Sequence, residues 1–236
     1  MRRAGQVVRE VLELVRSRVK PGATTFDLEK AAQERLNELG VKAAFKGYHG
    51  FPCVLCTSVN SEVVHGIPSP KRVLKQGDIV SVDFGVVIDG YYGDAAITVP
   101  VGKVTPDAER LLKVTEASLQ AGIAVVRPGA TLGDVGAAVQ KVVEREGFSV
   151  VRDFVGHGIG AQMHEEPQVP NFGEAGRGMK LRAGMVIAIE PMVNAGKPDV
   201  VVLDDGWTAV AKDGSMSAHF EHTVAVTPTG ARILTE

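Results

Sequence analysis

The 236-residue sequence has little cysteine, little net charge and no long apolar run. Its two cysteines, Cys53 and Cys56, are too few for a disulfide framework, so a reducing compartment is expected. The formal charge is −2 and the Lys and Arg residues are scattered, which excludes the electrostatic footprint of a dedicated nucleic-acid binder. No apolar stretch approaches the roughly 18 residues of a membrane helix. The first residues, Met1-Arg2-Arg3 and a charged amphipathic stretch, lack the apolar core and cleavage site of a signal peptide, so a cytoplasmic protein is expected. What remains is 44% hydrophobic and 23% charged residues, a globular composition. The length is an awkward one and a half times a typical domain of about 150 residues.

An internal repeat explains that length. Val19-Lys20-Pro21-Gly22-Ala23-Thr24 returns as Val126-Arg127-Pro128-Gly129-Ala130-Thr131, and nine of 22 positions from 19–40 recur at 126–147 without a gap. Each copy predicts an amphipathic helix, a Pro-Gly break, and Thr-x-x-Asp capping a second helix that ends at Gly40 or Gly147. At the same offset of 107, Leu74 to Asp83 aligns with Leu181 to Glu190, both β-rich runs closing on a carboxylate. The chain therefore reads as one domain, 1–236, built from halves of about 1–105 and 106–236, with joined sheets and helices on one side.

The carboxylates carry the chemistry. Asp89-Gly90 between apolar runs signals a two-residue hairpin, and its register sets Gly85 opposite Asp94 and leaves Asp83 and Asp94 as diagonal neighbours on one face. Such a pair shares a proton, binds a cation, or lies solvated at a strand end. Glu190 repeats Asp83 at an offset of 107, and Glu221 repeats Asp94 at 127, so the second hairpin carries twenty extra residues. If the halves pack about a pseudo-twofold axis the four acids converge, and two divalent cations would balance them, since no Lys or Arg lies beside them in sequence. Oxygen-rich ligands with one imidazole suit Mn²⁺, Fe²⁺ or Co²⁺ at least as well as Zn²⁺. His157, between Gly156 and Gly158, is the candidate imidazole, and His65, His164 and His222 also lie near these blocks. The zinc-protease motif is absent, because His164-Glu165-Glu166-Pro167 is not H-E-x-x-H. Cys53 and Cys56 form a C-x-x-C, but in a strand-like run and without further ligands, so two half-buried thiols are expected.

The chain resembles the type I methionine aminopeptidases, which have the α+β pita-bread fold: two pseudo-symmetric halves sharing a curved antiparallel sheet, with helices outside. The resemblance rests on Gly47-Tyr48-His49-Gly50-Phe51-Pro52, Ser58-Val59-Asn60 with His65-Gly66-Ile67-Pro68, Gly156-His157-Gly158-Ile159-Gly160, His164-Glu165-Glu166-Pro167 and Ile189-Glu190-Pro191-Met192-Val193-Asn194. Only 25 residues separate His164 from Glu190, too few for the helical insertion of type II enzymes. The resemblance implies removal of the initiator methionine from nascent proteins and peptides when the second residue is small, through a hydroxide bridging two divalent metals. It implies that Asp94 and Glu221 bridge the metals, that Asp83 serves one, and that His157 and Glu190 serve the other. It further implies that Glu190 shuttles a proton, His164 stabilises the oxyanion and His65 hydrogen-bonds near the scissile nitrogen.

By the same resemblance the methionine side chain is held by Tyr48, Phe51, Cys56, His65, Met163, His164 and Trp207. Met163 stands where the family often has Phe, Ala161-Gln162 replaces an often basic pair, and Phe51 lacks a hydroxyl seen in some members. Trp207, the only tryptophan, falls in the extra stretch of the second hairpin, which is expected to build a pocket wall. The expected partner is the N-terminal Met of a nascent chain, with the ribosome a candidate docking partner and a monomer as the expected state. The competing readings are an X-Pro aminopeptidase or prolidase of the same fold, and an inactive pita-bread protein that only binds.

Overall fold

A computed structural model describes all residues, 1–236. The first half runs through α1 (Arg2–Arg18), α2 (Thr25–Leu39), β1 (Lys42–Ala43), a 3-10 turn at Tyr48–Gly50, β2 (Leu55–Val59), β3 (Glu62–Val64), β4 (Ile79–Ile88) and β5 (Tyr91–Pro100). The second runs through α3 (Pro106–Ala124), α4 (Leu132–Arg145), β6 (Ser149–Val150), β7 (Gly156–Gly158), β8 (Glu165–Val169), β9 (Val186–Ile189), β10 (Met192–Asn194), β11 (Val200–Val202), β12 (Ala209–Ala211), β13 (Ser217–His219), β14 (His222–Thr227) and β15 (Gly230–Ile233). No helix is long and apolar enough to cross a membrane.

The helices form for the local reasons the repeat predicts. In α1, Ala4, Val8, Val11, Leu12 and Val15 recur at helical spacing and are all buried. Thr24 and Thr131 each accept from the N–H three residues on, while Asp27 and Asp134 reach back, so both copies carry a complete capping box. Gly40 is left-handed and stops α2; Gly147, φ 79°, lies just beyond α4. The apolar face of α1 packs on β4 and β5 around Phe84, whose burial contributes about 1.5–3 kcal/mol. In the second half, Leu119 and Ile123 of α3 and Val135 of α4 enclose Ile187, Ile189 and Val224.

Each half contributes a hairpin. In the first, β4 and β5 pair in one register from Ile79·Pro100 to Ile88·Tyr91, and Asp89 and Gly90 both take positive φ in the loop. In the second, Ile189 lies opposite His222, Met192 opposite His219, Asn194 opposite Ser217 and Val200 opposite Ala211. Every step along one arm is matched by an equal step back along the other, so β9, β10 and β11 form one long arm against β12, β13 and β14. The extra residues extend this hairpin to a tip at 204–207, where the Asp205 carboxylate accepts from the N–H groups of Trp207 and Thr208.

The sheet is not one unbroken ladder but four groups of strands. The halves meet where Ala96 and Glu221 exchange backbone hydrogen bonds, at 2.9 and 3.4 Å. Two residues to either side, a threonine hydroxyl replaces the backbone. Thr223 Oγ1 accepts from Asp94 N–H (3.0 Å) and donates to Asp94 O (2.7 Å). Thr98 Oγ1 accepts from His219 N–H (2.9 Å) and donates to His219 O (2.7 Å). Asp94, Glu221 and His219 are thus fixed at the seam by buried, satisfied backbone groups.

Candidate metal centre and adjoining cavity

The first hairpin sets Asp83 opposite Ala96 and Asp94 opposite Gly85, the diagonal arrangement expected. In the second hairpin Glu190 and Glu221 fall in the gaps between paired stretches, directly opposite each other in the common register. Pro191 has no N–H to continue the ladder at that point.

His157 lies on β7, flanked by Gly156 and Gly158. A Cβ on Gly156 would stand 2.3 Å from Ala188 O, and one on Gly158 2.3 Å from Glu166 O. The glycines therefore serve close approach of the neighbouring strands, which holds His157 against the seam. His157 Nδ1–H donates to Gly158 O at 2.8 Å, because a carbonyl can only accept. Burial keeps the ring neutral, its pKa pushed down to about 4, so Nε2 carries a lone pair. That lone pair faces Glu190 Oε1 at 3.6 Å and Asp94 Oδ2 at 4.0 Å. A lone pair aimed at two carboxylates is unfavourable unless a cation lies between them or a carboxyl carries a proton. Donor atoms of Asp94, His157 and Glu221 all lie within 4.8 Å of one another. Asp83 and Glu190 line the same space.

The electrostatics agree. Asp83 Oδ1, Asp94 Oδ1 and Glu221 Oε1 are buried without a hydrogen-bond partner, and no Lys or Arg lines the cavity. Burial, then the neighbouring carboxylates, push Asp83, Glu190 and Glu221 well above the usual carboxylate range. Burial raises Asp94 to about 7. The donor set of four carboxylates and one neutral imidazole, with its own N–H held by a backbone carbonyl, fits divalent metal ions.

These groups floor a cavity of about 490 Å³. Tyr48, Phe51, Cys56, His65, Met163, His164 and Trp207 all line it. Trp207, from the tip of the long hairpin, meets Phe51 edge-to-face at 5.1 Å between ring centres and stands 6.4 Å from His65. Tyr48 Oη lies 2.8 Å from His164 Nδ1, and the His164 ring is 4.2 Å from that of His157. His49 and His65, both lining the cavity, are among four non-glycine residues with positive φ.

Three placements depart from the sequence reading or lie beyond it. His222 is turned away from the cavity, its Nδ1 2.9 Å from Thr235 Oγ1. Cys53 and Cys56 are buried rather than half-buried, with thiol pKa values raised to about 11 for Cys53 and further for Cys56, mainly by burial. Both stay protonated and unreactive near neutral pH. His219, not singled out by the sequence, is buried beside Glu190 with its Nε2 3.8 Å from Glu190 Oε2. Phe45, His49, Val64, Phe154, Val155 and Met192 also line the cavity without having been foreseen. Of these, only His49 and Met192 lie inside sequence motifs quoted for the resemblance.

Comparison with known proteins agrees with this geometry. The model of the family described as Metallopeptidase family M24 matches residues 1–228. Methionine aminopeptidase A of Synechocystis sp. is 52% identical over 235 residues, an alignment spanning 100% of this chain and 93% of that protein. The crystal structure of a methionine aminopeptidase from Thermotoga maritima superimposes with a TM-score of 0.99 at 51% identity, covering 100% of this chain and 95% of the other. A prolidase from Pyrococcus horikoshii shares the fold at 20% identity, with a TM-score of 0.77, and this chain covers 60% of it. The α+β pita-bread architecture implied by the resemblance is the one observed.

Proposed function

Because this chain belongs to metallopeptidase family M24, we propose that it removes the N-terminal methionine from nascent proteins and peptides whose second residue is small. The observation that carries the reading is the meeting of Asp94, His157 and Glu221 at the floor of an apolar cavity of about 490 Å³. The relatives at about half identity that bear the name methionine aminopeptidase support it.

In this reading Asp83, Asp94, His157, Glu190 and Glu221 would together hold two divalent ions. Such ions, of manganese, iron or cobalt with zinc as an alternative, supply Lewis acidity that acidifies a water and polarises a carbonyl. The chain's own groups do the rest. Phe51, Cys56, Met163 and Trp207 make an apolar slot into which an unbranched thioether fits, and exclude water from it. His164, oriented by Tyr48 at Nδ1, offers Nε2–H to the developing oxyanion. Glu190 carries the proton to the leaving amine, and His65 hydrogen-bonds near the scissile nitrogen. The two halves act as one domain, since each supplies two of the four carboxylates. The setting proposed is the cytoplasm, with a monomer acting on chains emerging from the ribosome.

Hydrolysis of Met-Ala-Ser with metal supplied tests this, with an X-Pro dipeptide as the comparison. Release of methionine from the first and no cleavage of the second is expected. Cleavage of the X-Pro dipeptide alone would favour a prolidase, and neither reaction would favour a protein that only binds.

A further inference from the structure

His219 makes no contact that its imidazole chemistry requires. Its backbone is tied to Thr98 across the seam, its side chain is 1% exposed, and its Nε2 is buried without a hydrogen-bond partner. A buried, unpaired imidazole nitrogen is costly where an aliphatic side chain would fill the same space. The acceptor facing it is Glu190 Oε2, at 3.8 Å. Glu190 therefore lies between two imidazoles, with Oε1 toward His157 and Oε2 toward His219. The two rings play different parts. The Nδ1–H of His157 is committed to Gly158 O, which leaves Nε2 as a donor to a cation. His219 Nε2 can instead carry hydrogen toward the carboxylate.

We propose that His219 is a positioning residue for Glu190, its Nε2–H directed at Oε2 across 3.8 Å so that Oε1 is presented to the cation shared with His157. The proposal rests on the metallopeptidase reading of the site. It adds an outer partner for one ligand, of the kind whose loss lowers metal affinity by about 10–100-fold.

The test is calorimetric titration of the metal-free full-length protein with Mn²⁺ alone, comparing the wild type with His219→Gln, His219→Leu and His219→Asn. Glutamine keeps an N–H at similar reach, leucine keeps the volume without the donor, and asparagine is too short. The leucine and asparagine variants are expected to weaken one of the two Mn²⁺ binding events by about 10–100-fold, leaving the other unchanged, with glutamine returning close to wild type. In a Glu190→Ala background the leucine substitution should cause no further loss. Because the asparagine variant gives the same readout, the result does not depend on the leucine variant folding. Wild-type affinities in both loss variants, equal weakening in all three, or full additivity with Glu190→Ala would overturn the proposal. A wild-type protein that binds no Mn²⁺ would instead overturn the reading of the site on which it rests.

Discussion

The hairpin of the first half turns back after ten residues on Asp89-Gly90, whereas its counterpart in the second half continues through three paired stretches to Trp207. Both bring two carboxylates to the seam, but only the long one reaches round to close the cavity. In the short hairpin the acids are diagonal neighbours on continuous strands; in the long one they face each other in gaps beside Pro191. The duplicated parts thus account for the charge and symmetry of the carboxylates, and the unequal part adds Trp207 to the wall of the pocket. In the proposed reading, selectivity could change at the tip without disturbing the ligands.

If the halves contribute equally to the centre, Asp94→Asn and Glu221→Gln should be equally damaging, each lowering kcat/KM for Met-Ala-Ser by about 10³-fold or more. A large loss in one and a small loss in the other would break the symmetry. The next effect is on folding. Thr98→Val and Thr223→Val each orphan a buried N–H and C=O at the seam, and chemical denaturation should show about 2–4 kcal/mol lost in each case.

The metal-free protein should also become less stable as pH rises above about 6.5. The carboxylates, Asp94 raised to about 7 and Asp83, Glu190 and Glu221 pushed well above the usual carboxylate range by burial and by one another, bind protons in the folded state that the unfolded chain has released. Stability therefore falls as pH passes through the folded values, by up to about 1.4 kcal/mol per pH unit for each proton difference. The buried imidazoles, His65 and His157 at about 4 and His219 at about 3, oppose this only below pH 6.5, where the unfolded chain takes up protons first. Melting temperatures at pH 6.5 and 8.5 should fall without metal and change less with Mn²⁺ present. The smallest effect belongs to the unduplicated part: Trp207→Leu should raise KM for Met-Ala-Ser by about three- to tenfold with the melting temperature nearly unchanged. A similar loss of metal affinity in that variant would show that the tip and the centre are not separable.

Local chemistry made much of this legible in the sequence. The Asp-Gly loop set the register of Asp83 and Asp94, the Thr-x-x-Asp boxes set the starts of α2 and α4, and the repeat offset paired the acids across the halves. What escaped depends on packing between distant segments. The outward direction of His222 follows from strand alternation beside the inward Glu221, but its partner Thr235, thirteen residues on, is not legible locally. His219 and Thr98 acquire their roles only where the halves touch, 121 residues apart. The face-to-face placement of Glu190 and Glu221 follows from a register shared with strands on both sides of Pro191. The two thiols pack with Phe45 and Phe51 of their own region and with Met163, more than 100 residues away in sequence.

The central claim is that the carboxylates and His157 exist to hold divalent metal for peptide hydrolysis. It is tested most directly by stripping the protein with a chelator, then following methionine release from Met-Ala-Ser and bound metal together as Mn²⁺ is returned. The account predicts no turnover in the stripped protein and recovery in step with metal bound, reaching a plateau at two ions per chain. Full turnover in protein shown to be metal-free would contradict it.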